Sequence, residues 1–132
     1  LEQLEGEDVQ LTIDFDSKIP LYTQIRDAIV SGIATGDLTN GTILPSIRAL
    51  GNELGVNLHT VNKAYKELQR EGFVEIQRGR GVVVHAHGSP NQAVAEVLRP
   101  ALEKVVAEAV ARHLDRDALH TMIDELYDDL KE

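Results

Sequence analysis

Residues 44–68 read LPSIRALGNELGVNLHTVNKAYKEL, and two short helices with a tight break between them are written in that stretch. Behind Pro45-Ser46, the apolar residues Ile47, Leu50 and Leu54 recur at helical spacing, and Gly55 ends the run. Asn57 then offers a side-chain oxygen to the unbonded amides of a new helix. In that helix Val61, Ala64, Tyr65 and Leu68 fall on one face. The opposite face carries His59, Lys63, Lys66 and Arg70, at i, i+4, i+7 and i+11, while Asn57, Thr60 and Asn62 occupy its first turn. Amide, hydroxyl and cationic groups at the start of a helix are what a major groove accepts, where they can reach phosphates and base edges. Taken alone, the stripe also fits an ordinary solvated helix face, since Glu67 and Glu71 sit among the bases.

The flanks supply the context. Upstream, Leu21, Ile25, Ile29 and Ile33 recur every four residues behind Pro20 and stop at Gly36, which predicts a first helix. Before it, Leu11, Ile13 and Phe15 alternate with polar residues, as a short strand or extended lead-in does. Downstream, Gly72 closes the third helix. Phe73–Gln77 and Val82–His85 read as two strands around Gly79-Arg80-Gly81, where glycine permits a positive φ. Three helices followed by a hairpin is the order of a winged helix-turn-helix. Arg48, just before the Gly55 break, has a fork that matches guanine O6 and N7. Arg78 and Arg80 flank Gly79 at the hairpin tip, placed to reach a minor groove or a neighbouring phosphate.

Charge must be read in pieces. The 132 residues carry a formal −9. Residues 1–19 contribute −5 (six acids, one base) and residues 91–132 another −5 (ten acids, five bases). Residues 20–90 hold six acids against seven bases, for +1. Electrostatic attraction to phosphate acts over about a Debye length, ~8–10 Å, so acidic ends do not exclude DNA binding by the middle. Cysteine is absent, which excludes a disulfide framework and thiolate chemistry. No run approaches the ~18 apolar residues of a membrane span, and the acidic start lacks a signal-peptide pattern. A cytoplasmic protein with no membrane partner is expected. Residues 1–10 are expected to be a mobile lead or to be foreign to the native chain.

At this point a resemblance is plain. Pro20-Leu21-Tyr22-x-Gln24-Ile25, Gly36-x-Leu38-x-x-Gly41 and Leu44-Pro45-Ser46-x-Arg48-x-Leu50 resemble the GntR family of bacterial regulators. The likeness continues through Leu54-Gly55-Val56-Asn57-x-x-Thr60-Val61-x-Lys63-Ala64-Tyr65-x-x-Leu68 and Glu71-Gly72, and ends with Gly79-x-Gly81-x-x-Val84. It covers about half the chain. The resemblance implies that Arg48 reads a guanine, that Ser46 and Thr60 contact phosphate, and that Arg78, Gly79, Arg80 and Gly81 form the wing tip. Two positions that are basic in some members are Leu58 and Asn62 here, so no operator sequence carries over.

Gly88-Ser89-Pro90 marks a change of composition. The expected fold is mainly α with a small β-hairpin wing. Residues 11–86 would form a winged helix-turn-helix DNA-binding domain and residues 91–132 a two-helix C-terminal dimerisation domain. In the tail, Val97, Leu98, Leu102, Val105 and Val106 form one wide apolar stripe. Pro100 lies within that run, either kinking the helix or marking where its regular part begins. Asp115 is placed to cap a last helix whose apolar face holds Leu119, Met122, Ile123, Leu126 and Leu130. Two such helices cannot bury both stripes against each other, so a second copy of the chain is the natural cover. A tail this short is similar to the YtrA-like branch of the family. The expected function is a sequence-specific transcriptional regulator, a repressor, binding a near-palindromic double-stranded DNA operator as a homodimer.

Other classes are weaker. The five histidines form no nucleophile or metalloprotease arrangement, and the glycines near 36–41 lack the ending of a phosphate loop. An enzyme is therefore not expected, nor a cofactor. His85-x-His87 could offer two metal ligands on one side of a strand end, but no carboxylate is identifiable beside them, and no metal site is expected. A winged helix acting as a protein-interaction module, without specific DNA binding, remains the alternative that the acidic total suggests. A small-molecule effector is compatible with the family, but no residue cluster identifies its class.

Overall fold

The computed structural model describes residues 11–85 and 92–131. The first helix, α1 (Leu21–Thr35), begins directly after Pro20 and ends at Gly36, whose φ is 88°. Ile25 and Ile29 are wholly buried on its inner face, with Tyr22, Val30 and Ile33 packed at the margin. The lead-in does not form a strand. Leu11 and Ile13 do pack against the core, but Phe15 turns out to solvent, because the chain bends at residues 15–19. Gln24 holds this bend against α1. Its Oε1 accepts the Asp14 amide at 2.9 Å, and its Nε2 donates to the carbonyls of Asp14 and Ile19.

The strand β1 (Ile43–Leu44) precedes α2 (Ile47–Leu54) and α3 (Leu58–Arg70). Ser46 caps α2, its Oγ accepting the Ala49 amide at 3.0 Å, and Asn57 caps α3, its Oδ1 accepting the His59 amide at 2.7 Å. Between the helices Gly55 has φ 72°, a left-handed conformation that a β-carbon would strain. One face of α3 is fully buried through Val61, Ala64, Tyr65 and Leu68. Burying a Val- or Leu-sized side chain is worth about 1.5–3 kcal/mol, so α3 is the centre of the core.

The wing consists of β2 (Val74–Gln77) and β3 (Gly81–Val84), antiparallel, with Gln77 opposite Gly81. The hairpin is joined by β1, so the sheet has three strands in the order β1-β3-β2. This third strand was not anticipated. Two residues have no readable period; Ile43 and Leu44 become a strand only because Val83 and Val82 pair with them. Leu44, Val74, Val82 and Val84 are buried, closing the core beneath α3.

Two compact units are distinguished, Leu1–Gly88 and Ser89–Glu132. In the second, α4 (Gln92–Ala111) runs unbroken through Pro100, so the proline does not mark its start. α4 ends in a paired-bond cap: Leu114 N–H donates to Ala109 O at 2.8 Å, and His113 N–H to Val110 O at 3.0 Å. His113 occupies the position usually held by glycine, at φ 62°. α5 (Arg116–Lys131) follows Asp115, whose carbonyl accepts the Leu119 amide. The fold is thus mainly helical with a small β wing. Residues 1–10 and His87, on which expectations were placed, lie outside the described residues.

Candidate nucleic-acid interface

The cap at Ser46 fixes where the next residues point. Ile47 and Leu50 turn toward the core, while Arg48 and Ala49 are exposed. The segment before the cap is held from the other side. Tyr65, wholly buried in α3, donates its hydroxyl to the Pro45 carbonyl at 2.7 Å. Burial pushes that phenol well above its ordinary range, so it stays protonated as the bond requires. Arg48 therefore stands on a helix start anchored both to its own cap and to α3.

On α3, His59, Lys63, Lys66 and Arg70 are all exposed, as the stripe predicts, and Thr60 and Asn62 are half-buried beside them. Asn57 is exposed and its side-chain oxygen is already engaged as the cap. Lys63 lies over the Tyr22 ring, 4.2 Å from its centre, a cation–π contact that ties α3 to α1. Sequence reasoning missed Tyr22. The two residues are 41 apart, and no local pattern links them.

Arg70 differs from the other cations of the stripe in having carboxylate partners. Its Nη2 lies 2.7 Å from Glu67 Oε1 and 3.9 Å from Glu71. The Glu67 hydrogen bond raises the guanidinium pKa, and the same bond holds the Glu67 carboxyl below its usual range. Arg26 is likewise engaged, with Glu71 and Asp27, and its pKa is raised chiefly by the Glu71 bond. Its guanidinium also lies 5.7 Å from the Phe73 ring centre. Two bases and three acids of the head are thus engaged with one another, and that cluster carries one negative charge in excess. Arg48, Lys63, Lys66, Arg78 and Arg80 have no ion pair among the described residues, so the exposed face is more positive than the +1 of residues 20–90 indicates.

At the wing tip, Arg80 N–H donates to Gln77 O at 3.1 Å, closing a turn with Gly79 at φ 84°. The glycine lets the chain reverse within the turn, and Arg78 and Arg80 emerge exposed on either side of it. Gly81, at φ 95°, begins β3. The wing is tied to α3 through Gln69, whose Oε1 accepts the Ile76 amide at 2.8 Å. His85 does have a carboxylate neighbour after all: its Nε2 lies 3.2 Å from Glu75 Oε1 across the hairpin, with both groups about half exposed. Among the described residues no group of three His, Asp or Glu side chains is placed to hold a metal ion.

In the tail, Val97, Leu98, Leu102, Val105 and Val106 are 40–52 % exposed, and Met122, Leu126 and Leu130 are 43–59 % exposed. Leu119 and Ile123 are half-buried. Among the described residues, no helix is long and apolar enough to cross a membrane.

The pattern described as "Bacterial regulatory proteins, gntR family" matches residues 21–84. The chain is 32 % identical over 123 residues to the HTH-type transcriptional repressor YtrA of Bacillus subtilis (strain 168), covering 92 % of this chain and 95 % of the relative. Among solved structures, a transcriptional antiterminator from Listeria monocytogenes EGD-e superposes with a TM-score of 0.83 at 27 % identity, over 95 % of each chain. AraR(DBD) in complex with operator ORX1 matches with a TM-score of 0.52 at 28 % identity, over 57 % of this chain and 96 % of the other. With its winged helix-turn-helix head and a relative matched along nearly its whole length, the chain belongs to the gntR family of bacterial transcriptional regulators.

Proposed function

We propose that the protein is a cytoplasmic repressor that binds a near-palindromic DNA operator as a homodimer, with no catalytic activity of its own. Residues 11–86 form the DNA-reading domain and residues 91–132 the dimerisation domain. α3 enters the major groove with His59, Thr60, Asn62, Lys63 and Lys66 toward the DNA. Ser46, with its hydroxyl hydrogen still available beyond the cap, and Asn57 contact the backbone, and Arg48 reads guanine. Arg78 and Arg80 carry the wing to an adjacent groove or phosphate.

The observation that carries this reading is the five exposed cations on α2, α3 and the wing turn that have no carboxylate partner among the described residues. It is supported by the operator complex of AraR(DBD), whose fold the head shares, and repression is supported by the name of the Bacillus subtilis relative. The open stripes of α4 and α5 support the dimer, because exposed apolar surface of this extent calls for a partner. A two-fold dimer would place two recognition helices about one helical turn apart, ~34–36 Å.

Two measurements test it together. Light scattering at micromolar concentration is expected to give twice the chain mass, and a monomer mass would remove the dimer. A gel shift with duplex DNA is expected to weaken steeply between low and moderate salt. Absence of salt-dependent binding would transfer the head to the protein-interaction role that the chain's −9 charge suggests.

A further inference from the structure

We infer that Leu58 is a base-reading residue, whose exposed side chain meets the 5-methyl group of a thymine in each operator half-site. The inference rests on the DNA-binding reading above and deepens it to one residue and one base. Of the large apolar side chains on α2 and α3, Leu58 alone is more than a third exposed, at 37 %. The core beneath is filled without it, by Val61, Ala64, Tyr65 and Leu68. Leu58 is the first residue of α3, on the part of the helix that enters a groove most deeply in this kind of docking.

Its side chain is also held in place. A β-carbon on buried Gly51 would lie 3.1 Å from Leu58 Cδ2, so one methyl of the leucine rests close against the α2 backbone. The other end faces solvent beside Asn57 and His59, with Asn62 one turn along on the same side. An apolar group held at one end gives up little conformational freedom on binding, which favours its use as a fixed contact.

The chemistry then selects the base. A branched alkyl group can neither donate nor accept a hydrogen bond. Set against guanine it would cover the N7 and O6 acceptors without satisfying them, which carries a desolvation penalty. The one apolar feature among the four base edges of the major groove is the thymine methyl. Asn62, at i+4, carries an amide matched to adenine N6 and N7, so the pair favours an A·T-containing stretch under the start of α3.

The test removes the methyl from the DNA rather than the side chain from the protein, so folding is not at stake. A duplex is selected from a random pool with the full chain, and deoxyuridine replaces each thymine in turn. One position per half-site is expected to lose about fourfold in affinity, the worth of one buried methyl-sized group. In the Leu58→Ala protein, with its thermal midpoint measured alongside, that position is expected to become indifferent to the methyl. If every deoxyuridine duplex binds the unaltered protein like its parent, the assignment of Leu58 is wrong. It is equally wrong if Leu58→Ala retains the full loss. If the pool returns no preferred duplex, the DNA-binding reading itself fails and the Leu58 assignment falls with it.

Discussion

Tyr65→Phe removes a single oxygen from the middle of the core and tests how the recognition surface is held. The ring stays, so apolar burial is conserved, and the change isolates the 2.7 Å bond to the Pro45 carbonyl. A neutral hydrogen bond contributes about 1 kcal/mol net, and a carbonyl left without its partner adds a desolvation cost. The expected loss is therefore about 1–2 kcal/mol. Urea denaturation at fixed protein concentration should show it as a lower midpoint with an unchanged slope. Because Pro45 adjoins the Ser46 cap, operator affinity should fall as well, through a looser start to α2.

The same residue predicts an alkaline dependence. Burial raises the Tyr65 phenol, so the folded state holds that proton more tightly than the unfolded chain. The stability this provides is fully present below the unfolded value of about 10 and is lost as pH rises toward the folded one. Between neutral pH and about pH 11, the unaltered protein should lose more stability than Tyr65→Phe, and the gap between them should narrow. A destabilisation under about 0.3 kcal/mol would show that the bond contributes nothing. An alkaline loss of equal size in both proteins would show that Tyr65 is not its source.

Three further outcomes are expected. Arg48→Ala should reduce the preference for the selected duplex over random DNA by about 1–3 kcal/mol per half-site, read by competition binding; an unchanged preference would remove guanine reading from Arg48. Arg78→Ala and Arg80→Ala should each lower the slope of log affinity against log salt by about 1 without altering thermal stability, and an unchanged slope would place that arginine away from phosphate. His113→Gly should raise the thermal stability of the chain by roughly 1 kcal/mol, because it relieves a left-handed histidine at φ 62°; a lower melting temperature would contradict this.

The helix-turn-helix was legible because each of its signals is local. Asn57 caps the helix that its spacing announced, and Gly55 takes the positive φ between two apolar periods. The wing turn was legible for the same reason, with Gly79 and Gly81 both at positive φ. What sequence reading missed depended on partners distant in the chain. Ile43-Leu44 is a strand because β3 lies beside it. Phe15 shares the alternation of Leu11 and Ile13 but faces out, because the backbone bends there under the grip of Gln24. The alternation alone could not show that bend.

The charged face was half legible. Position assigned Lys63, Lys66 and Arg70 to one stripe, yet only structure separates Arg70, held by Glu67, from Lys63, held over Tyr22. The Glu75 carboxylate beside His85 was invisible for a similar reason, since cross-strand neighbours follow from register and not from spacing. The apolar stripes of the tail were readable from their helical spacing, and most of their residues are exposed.

Everything proposed above depends on the α2–α3 head reading DNA in two symmetric copies. Selection from a random duplex pool at moderate salt tests it most directly. An enriched sequence with two-fold symmetry and half-site centres about one helical turn apart, ~34–36 Å, is expected. Each half-site should contain a guanine that Arg48→Ala no longer distinguishes. A pool with no enrichment, or an enriched site lacking two-fold symmetry, would contradict it.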